Sequence, residues 1–304
     1  MFLARHFPFH SRNQWREICR QGHLLVDGRT ARGSRRLHAG VRLAVFHPLT
    51  AEPPVDERVE FIAQTAGVLA VYKPGNLPMH ESGLFRRHTF RALLAQHFGP
   101  EWEPVHRLDR ETSGVVICGA TTDLRRQLSL AFETRAVEKR YTAIVRGDPA
   151  WEDLVVDQPM SLEVSTRRPR YVISTLGMNA CTEFKVVART ATKTASMIEA
   201  RPRTGRPNQI RVHALWTGHS LIGDKIYCED ERVFDAYHLW GDTAKVQQLA
   251  GFTRHALHAA SVVVRHPGTG QDFHAQAPLP ADLAELWRRV ANDHDHDWGF
   301  GGMP

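Results

Sequence analysis

The residues with the clearest chemical potential lie in HRLDRETSG (106–114), a charged segment that runs directly into the apolar sequence VVIC. Side chains alternate along an extended segment, so Arg107 and Asp109 are expected to point the same way. An aspartate at the mouth of a sheet, with cations around it, stays ionised and can act as a nucleophile or a base. Taken alone, Asp109 would be interpreted as a turn residue that hydrogen-bonds the backbone. The neighbouring segments must decide between these readings.

Three other segments place polar residues beside predicted strands or helices. EKRYTAIVRG (138–147) is a predicted strand on which Lys139 and Tyr141 share one face. RPRTGRPNQIRVHALW (201–216) contains a predicted helix, NQIRVHALW, with Pro207 suited to its first position. KPGNLPMH (73–80) follows the apolar run VLAVY. Without the other segments, Tyr141 would be read as a core tyrosine and Arg211 as a surface residue.

Together these segments resemble the RluA-type pseudouridine synthases. HRLDRETSG matches the pattern HRLDxxTSG, KPGNLPMH is similar to KPxGLPVH, and EKRYTAIVRG is similar to a K-x-Y strand. Residues 201–227 resemble the block TGRxHQIRxH…G…GD…Y, and residues 254–270 and 277–283 resemble the closing elements of the family. The order of the motifs agrees, over roughly residues 60–290, and the HRLD match is far more specific than a short glycine motif.

The resemblance implies an RNA isomerase that converts uridine to pseudouridine without a cofactor. It assigns Asp109 to the sugar, Tyr141 beneath the target base, and Arg211 to an ion pair that holds Asp109 charged and in one rotamer. It also assigns Arg107 to the gap left when the target base leaves its stack, where a planar guanidinium can insert. Four further motif residues are expected to bind substrate: His106, Lys73, Arg206 and Gln209.

The chain departs from the family pattern immediately before QIR. The family has Thr or Ser and then His, whereas this chain has Pro207 and Asn208, so the local contact with RNA is expected to differ. The histidines in motif positions are interpreted as structural hydrogen-bonding groups: His80, His213, His255 and His258. No metal-ligand spacing such as HExxH occurs, and we expect no metal, including at the alternating His and Asp of the last residues.

The positive charge is confined to one end of the chain. The net charge is +6, but the first fifty residues alone carry nine arginines against Glu17 and Asp27. Such basic ends bind phosphate backbones, because each arginine displaces condensed counterions. Residues 11–21 predict an amphipathic helix, and HLLVDGRT predicts a hairpin turning at Asp27-Gly28. This unit loosely resembles the small RNA-binding module named after a protein of the small ribosomal subunit.

We therefore predict an α+β fold with a mixed, largely antiparallel sheet flanked by helices, preceded by the small basic module. The predicted divisions are the module at 1–50, a linker at 51–58, the catalytic domain at 59–291 and a loose tail at 292–304. No apolar run is long enough to span a membrane, and the four cysteines form no CxxC pair, so a cytoplasmic protein is expected. A monomer is also expected, because one active site built within one chain suffices.

Two other functions compete with the isomerase that acts on ribosomal or transfer RNA. A non-catalytic RNA-binding or ribosome-assembly factor on the same fold would tolerate the loss of Asp109, Tyr141 or Arg211, yet the sequence retains all three. A nucleoside-cleaving hydrolase would need a second, water-activating carboxylate. Glu111 is the nearest candidate, but it occupies a variable position of the HRLDxxTSG pattern.

Overall fold

The computed structural model describes residues 2–7, 12–45, 52–83, 85–164 and 169–292. The chain divides into two compact units, Met1–Pro53 and Pro54–Pro304. Residues 52–58, within the predicted linker, form neither helix nor strand. Most of the predicted tail, 293–304, lies outside the described residues.

The N-terminal unit contains the predicted helix and hairpin. Its elements are α1 (Phe2–His6), α2 (Arg12–Arg20), β1 (Leu24–Val26), β2 (Arg29–Thr30) and β3 (Leu43–Val45). Strand β1 pairs antiparallel with both β2 and β3. Asp27 and Gly28 both have positive φ, as a two-residue turn between twisted strands requires. Cys19 of α2 packs against the buried β1 residues Leu24 and Val26.

The second unit alternates strands and helices irregularly. Its strands are β4 (Glu60–Thr65), β5 (Val68–Lys73), β6 (Glu103–Pro104), β7 (Ser113–Gly119), β8 (Val137–Arg146), β9 (Asp153–Asp157), β10 (Met160–Glu163), β11 (Arg170–Ile173), β12 (Cys181–Arg189), β13 (Ala195–Pro202), β14 (Leu257–Arg265) and β15 (Asp272–Gln276). Its helices are α3 (Phe90–Phe98), α4 (Thr122–Glu133), α5 (Gln209–Trp216), α6 (Glu231–Trp240), α7 (Ala244–Ala250) and α8 (Ala281–Asn292).

One large mixed sheet organises this unit. Its strands follow the order β4-β5-β7-β14-β8-β13-β12-β9, with β15 beside β14 and β6 beside β7. Among the described residues, β7 and β14 form the parallel pair and the other neighbours are antiparallel. Strands β10 and β11 form a separate hairpin. The predicted mixed, largely antiparallel α+β fold is confirmed.

Strand β7 is buried throughout because both of its faces are covered. Val116 and Cys118 pack on the side of α3, whereas Val115 and Ile117 pack on the side of α4. All seven residues of the strand are buried. A strand buried on both faces is rigid, so the loop that precedes β7 starts from a fixed point. That loop is HRLDRET.

Two sequence expectations differ from the structure. Pro207 lies in a turn, and helix α5 begins at Gln209, because Asn208 adopts a left-handed conformation that interrupts the helix. Helices α6 and α7 were not predicted. Asp230 and Thr243 cap their N-termini through side-chain acceptors, and short capped helices of this kind give a weak periodic signal in sequence.

Gly114 fixes the spacing of the parallel pair, which yields a first prediction. Its φ is +122°, and a Cβ there would clash with the backbone of Ala259 on β14. Gly114→Ala should therefore destabilise the protein by more than about 4 kcal/mol, since neither backbone can move away. Gly218→Ala is the matched control: Gly218 also has positive φ, but no atom lies within 4 Å of an added Cβ. The control should cost about 1–2 kcal/mol in denaturant unfolding; equal losses would contradict the close-approach argument.

Candidate active site

Asp109 lies in a turn braced from beneath by a buried lysine. The Thr112 N–H donates to the Asp109 carbonyl at 3.1 Å. The Lys73 ammonium donates to the carbonyls of Pro74, Leu77 and Arg110, the last at 3.1 Å. These contacts hold the backbone of the loop and leave the Asp109 side chain 25% exposed.

Arg211 connects Asp109 to a second, fully buried carboxylate. Its Nη1 donates to Asp109 Oδ2 at 3.1 Å, and its Nε and Nη2 donate to the two oxygens of Asp224 at 2.6 and 2.8 Å. Burial alone would lower the pKa of Arg211, but the carboxylates of Asp224 and Asp109 raise it above its usual value. The guanidinium therefore stays charged. Oδ1 of Asp109 accepts no hydrogen bond from the described residues, so it is available to a substrate.

A cleft of about 640 Å³, counted to its open mouth, lies beside Asp109. Tyr141 and Lys139 of β8 line it together with Leu257 of β14 and Arg211 of α5. Burial raises the pKa of Tyr141, and the Asp109 carboxylate raises it further, so the phenol keeps its proton. The lining combines apolar residues with a few polar groups, as ligand sites generally do.

A second buried ion pair connects the segment around Asp109 with the segment around Asp224. Glu111 lies two residues after Asp109, and Lys225 directly follows Asp224; the Lys225 ammonium donates to Glu111 Oε1 at 2.9 Å. The other oxygen, Oε2, accepts from the His255 N–H at 2.9 Å. Burial opposes ionisation of Glu111, but the Lys225 ammonium and these hydrogen bonds hold its pKa below the usual value. Both oxygens of Glu111 thus accept hydrogen bonds from the protein, and Glu111 does not line the cleft.

The structure brings most of the predicted site residues together. Asp109, Tyr141 and Arg211 meet at the cleft, and its lining includes Arg107, Arg206 and Gln209. The Arg107 side chain is exposed, and none of the described residues forms an ion pair or a hydrogen bond with it. Gln209 is oriented by Thr204, by Thr182 and by the Arg206 N–H, so its amide shapes the cleft wall.

Two predicted substrate-binding residues lie outside the cleft. Lys73 is fully buried, and its ammonium donates to three backbone carbonyls. His106 Nε2 accepts the Ile117 N–H of β7 at 3.0 Å, and its ring stacks on Phe132 at 4.3 Å. Both residues hold the 106–112 loop in place, and neither lines the cleft. Their roles in substrate binding stay predictions, because motif spacing does not reveal which way a side chain turns.

The buried histidines of the motifs are hydrogen-bonded to neighbouring groups. His213 contacts Thr182 and the Gln158 carbonyl, and His258 contacts Ser113 and the Ala277 carbonyl. His255 contacts Thr112 through Nε2 at 2.8 Å. Burial lowers the pKa of His258 to about 4 and that of His106 to about 3. His80 is exposed.

The described residues contain no group of three or more His, Cys, Asp or Glu placed to hold a metal ion. The alternating His and Asp of the tail lie outside those residues. In the described ranges, no helix is both long and apolar enough to cross a bilayer.

Comparison with known proteins decides the family. The sequence model of the RNA pseudouridylate synthase family matches residues 67–216, and that of the S4 domain matches residues 1–43. A relative from Zymomonas mobilis, named ribosomal large subunit pseudouridine synthase D, is 32% identical over 78% of this chain and 74% of its own. The chain belongs to the RluA-type pseudouridine synthases. As a pseudouridine synthase, it is an isomerase that acts on RNA.

Other relatives agree. The large subunit pseudouridine synthase D of Xanthomonas campestris is 30% identical over 96% of this chain and 88% of its own. The dual-specificity RNA pseudouridine synthase RluA of Salmonella typhimurium is 32% identical over 73% of this chain and 90% of its own. The human RNA pseudouridylate synthase domain containing 4 shares the fold, with a TM-score of 0.59, 24% identity, and coverage of 76% of this chain and 92% of its own.

Three residues of the synthase site were not assigned from sequence. Asp224 and Lys225 both lie in the GD…Y part of the motif block, and Asn208 appeared only as a departure from the family pattern. The Gly223-Asp224 dipeptide was a usable signal for Asp224, since an acidic residue in an otherwise apolar segment needs a buried cation. Nothing comparable identified Lys225 as the partner of Glu111.

The unequal burial of the two carboxylates around Arg211 yields a second prediction. Asp224→Asn should destabilise the synthase by about 3–5 kcal/mol, because it leaves a buried guanidinium without its two-oxygen partner. Asp109→Asn should cost about 1 kcal/mol, because Asp109 is partly exposed and Asp224 still compensates the charge. Denaturant unfolding of both variants measures the difference. The reverse order would show that Asp109 is the principal partner of Arg211.

The low pKa values of the buried histidines yield a third prediction, on pH dependence. His106 and His258 are neutral above about pH 3 and pH 4, respectively, so they do not titrate near neutrality. The single-turnover rate of the synthase should therefore show no histidine-dependent step between pH 5.5 and pH 8. Single-turnover rates on labelled RNA measure this. A step near pH 6.5 that His258→Gln removes would contradict the buried, neutral assignment.

Proposed function

We propose that this synthase isomerises specific uridines of large-subunit ribosomal RNA, with Asp109 acting at the sugar carbon of the target nucleotide. The observation that carries the catalytic assignment is the geometry of Asp109. One oxygen is held by Arg211, the other is open to the cleft, and Tyr141 lies in the same lining. In the reaction the bond from the sugar carbon to the base nitrogen breaks. The base turns, a bond forms from the same sugar carbon to carbon 5, the carbon-5 proton leaves, and the released ring nitrogen takes up a proton.

Within this proposal each residue has one task. Asp109 acts at the sugar as nucleophile or base, and the hydrogen bond from Arg211 holds it in one rotamer. Tyr141 supports the flipped base and, being protonated, does not repel it. Arg107 occupies the gap in the RNA stack. Arg206 and Gln209 line the cleft wall beside the nucleotide.

The choice of large-subunit RNA rests on how far the relatives align. Two relatives named large subunit pseudouridine synthase D align over 96% of this chain, which must include most of the arginine-rich first unit, and a third aligns over 78%. The dual-specificity relative aligns over 73% of it. A ribosomal substrate also supports a cytoplasmic location, and the four cysteines, all free thiols, suit a reducing compartment. The proposal includes an active monomer that uses neither metal nor cofactor.

Release of tritium from carbon 5 of labelled uridine tests this proposal and gives a fourth prediction. Large-subunit RNA, small-subunit RNA and transfer RNA are prepared from cells that lack the protein, and each is incubated separately with enzyme. Wild-type protein should release label from large-subunit RNA alone. Asp109→Asn should release at least about 10⁴-fold less, because the reaction has no second carboxylate at the sugar, while still binding the RNA. Asp153→Asn, an exposed aspartate of β9, is the matched control and should behave as wild type.

The other outcomes are equally informative. Release from transfer RNA alone would overturn the ribosomal assignment and leave the isomerase intact. Full activity of Asp109→Asn would overturn the role of this carboxylate. Binding of all three RNAs by wild-type protein with no release from any would favour a non-catalytic RNA-binding factor.

A further inference from the structure

Asn208 occupies an unusual place at the start of helix α5. It is the residue before the helix, yet its side chain makes none of the capping hydrogen bonds that asparagine usually makes there. Its φ of 57° and ψ of 14° lie in the left-handed region, which asparagine tolerates better than most residues. This conformation turns the side chain away from the helix backbone and towards the arginine one turn later.

The Asn208 amide and the Asp109 carboxylate bind the same nitrogen atom. Arg211 Nη1 donates to Asn208 Oδ1 at 2.7 Å and to Asp109 Oδ2 at 3.1 Å. The opposite edge of the guanidinium is taken by Asp224. Asn208 is therefore a direct neighbour of Asp109, held to it through one cationic nitrogen.

This contact fixes the orientation of the amide. A guanidinium is a donor only, so the Asn208 atom that faces it must be the oxygen. The NH₂ group consequently lies on the side turned away from Arg211, and among the described residues no acceptor takes its hydrogens. Asn208 lines the cleft that holds Tyr141, and it also lines a second recess beside Asp109 that contains Arg110 and Tyr237. Two donors are thus available between these two depressions.

We propose that the Asn208 NH₂ group donates a hydrogen bond to the 2′-hydroxyl oxygen of the target nucleotide. The inference rests on the proposed function, in which Asp109 acts at the sugar carbon that carries the base. The 2′-hydroxyl is on the adjacent carbon of the ribose. When that sugar carbon meets the Asp109 carboxylate, the 2′-hydroxyl therefore lies near Asn208, the neighbour of Asp109. It is also the group by which a protein distinguishes RNA from DNA at a given nucleotide. Asn208 is then a specificity-determining residue as well as a ligand of Arg211.

A cycle of protein and substrate changes isolates this contact and gives the fifth prediction. The target uridine is first located by mapping the pseudouridines that the wild-type enzyme forms in its RNA. The RNA is then a synthetic stem-loop around that uridine, made with uridine or 2′-deoxyuridine at that one position. Asn208→Gly removes the amide, and glycine accepts the left-handed backbone. The loss in kcat/KM caused by the 2′-deoxy substitution should be about five- to tenfold larger for wild type than for Asn208→Gly, the value of one hydrogen bond.

The cycle separates recognition from positioning. A general loss of activity, caused by a less constrained Arg211, affects both RNAs equally and cancels in the ratio. Lys193→Gly is the matched control, because Lys193 has a φ of 60° in an exposed turn, and it should keep the wild-type ratio. Thermal unfolding of each variant confirms that it is folded at the assay temperature.

Each result has a distinct reading. If wild type turns over the RNA, Asp109→Asn does not, and the deoxy penalty is the same in Asn208→Gly as in wild type, the 2′-hydroxyl contact is overturned and the proposed function stands. An unchanged ratio with equally weaker binding of both RNAs would overturn the 2′-hydroxyl contact and reassign the amide to another group of the RNA. If wild type fails to turn over the RNA, or Asp109→Asn remains active, the proposed function and this inference fall together.

Discussion

The buried guanidinium of Arg211 is the constraint on which the rest of the site depends. Removing a charge of this kind from water costs several kcal/mol unless carboxylates and further acceptors surround it. Asp224 satisfies one edge with two hydrogen bonds, and Asp109 and Asn208 share a nitrogen on the other. The fully buried Asp224 carries most of the compensation, so the partly exposed Asp109 can engage a substrate without leaving the cation uncompensated. Within the proposed function, the carboxylate that acts on the sugar is thereby oriented and accessible at the same time.

The same geometry explains why a charged loop meets a strand buried on both faces. The segments around Asp109 and Asp224 are joined twice, by Arg211 and by the Lys225–Glu111 pair, so the loop cannot rotate about a single contact. The Lys73 ammonium binds the Arg110 carbonyl. Just beyond the end of β6, the His106 ring accepts the Ile117 N–H of β7 in place of a backbone carbonyl. The close approach of Gly114 to Ala259 fixes the other end. Each contact is made with backbone or with a buried charge, and such groups move less than exposed side chains do.

The sequence was sufficient for the fold class, for the apolar strands and for the residues that meet at the cleft, because periodicity and motif order are local properties of the chain. It was insufficient where the outcome depends on direction. Lys73 and His106 share motifs with site residues, yet both turn inward, since each satisfies backbone groups that would otherwise be buried without partners. The role of Asn208 depends on a left-handed backbone, and Lys225 is paired with a residue more than a hundred positions away. The spacing of residues within a short segment predicts neither a dihedral angle nor a long-range partner.

The distribution of charge separates affinity for RNA from recognition of the target. The first fifty residues hold nine arginines and two acidic residues, whereas the rest of the chain is close to neutral. In the second unit many exposed arginines are paired with a neighbouring carboxylate, as Arg203 is with Glu183 and Arg189 with Asp148. Arg107, Lys139 and Arg206, which line the cleft, have no carboxylate within ion-pair distance among the described residues. Long-range attraction to a phosphate backbone must therefore come chiefly from the S4 unit, and it weakens with salt. The few uncompensated cations at the cleft act at short range, where the proposed function places the target nucleotide.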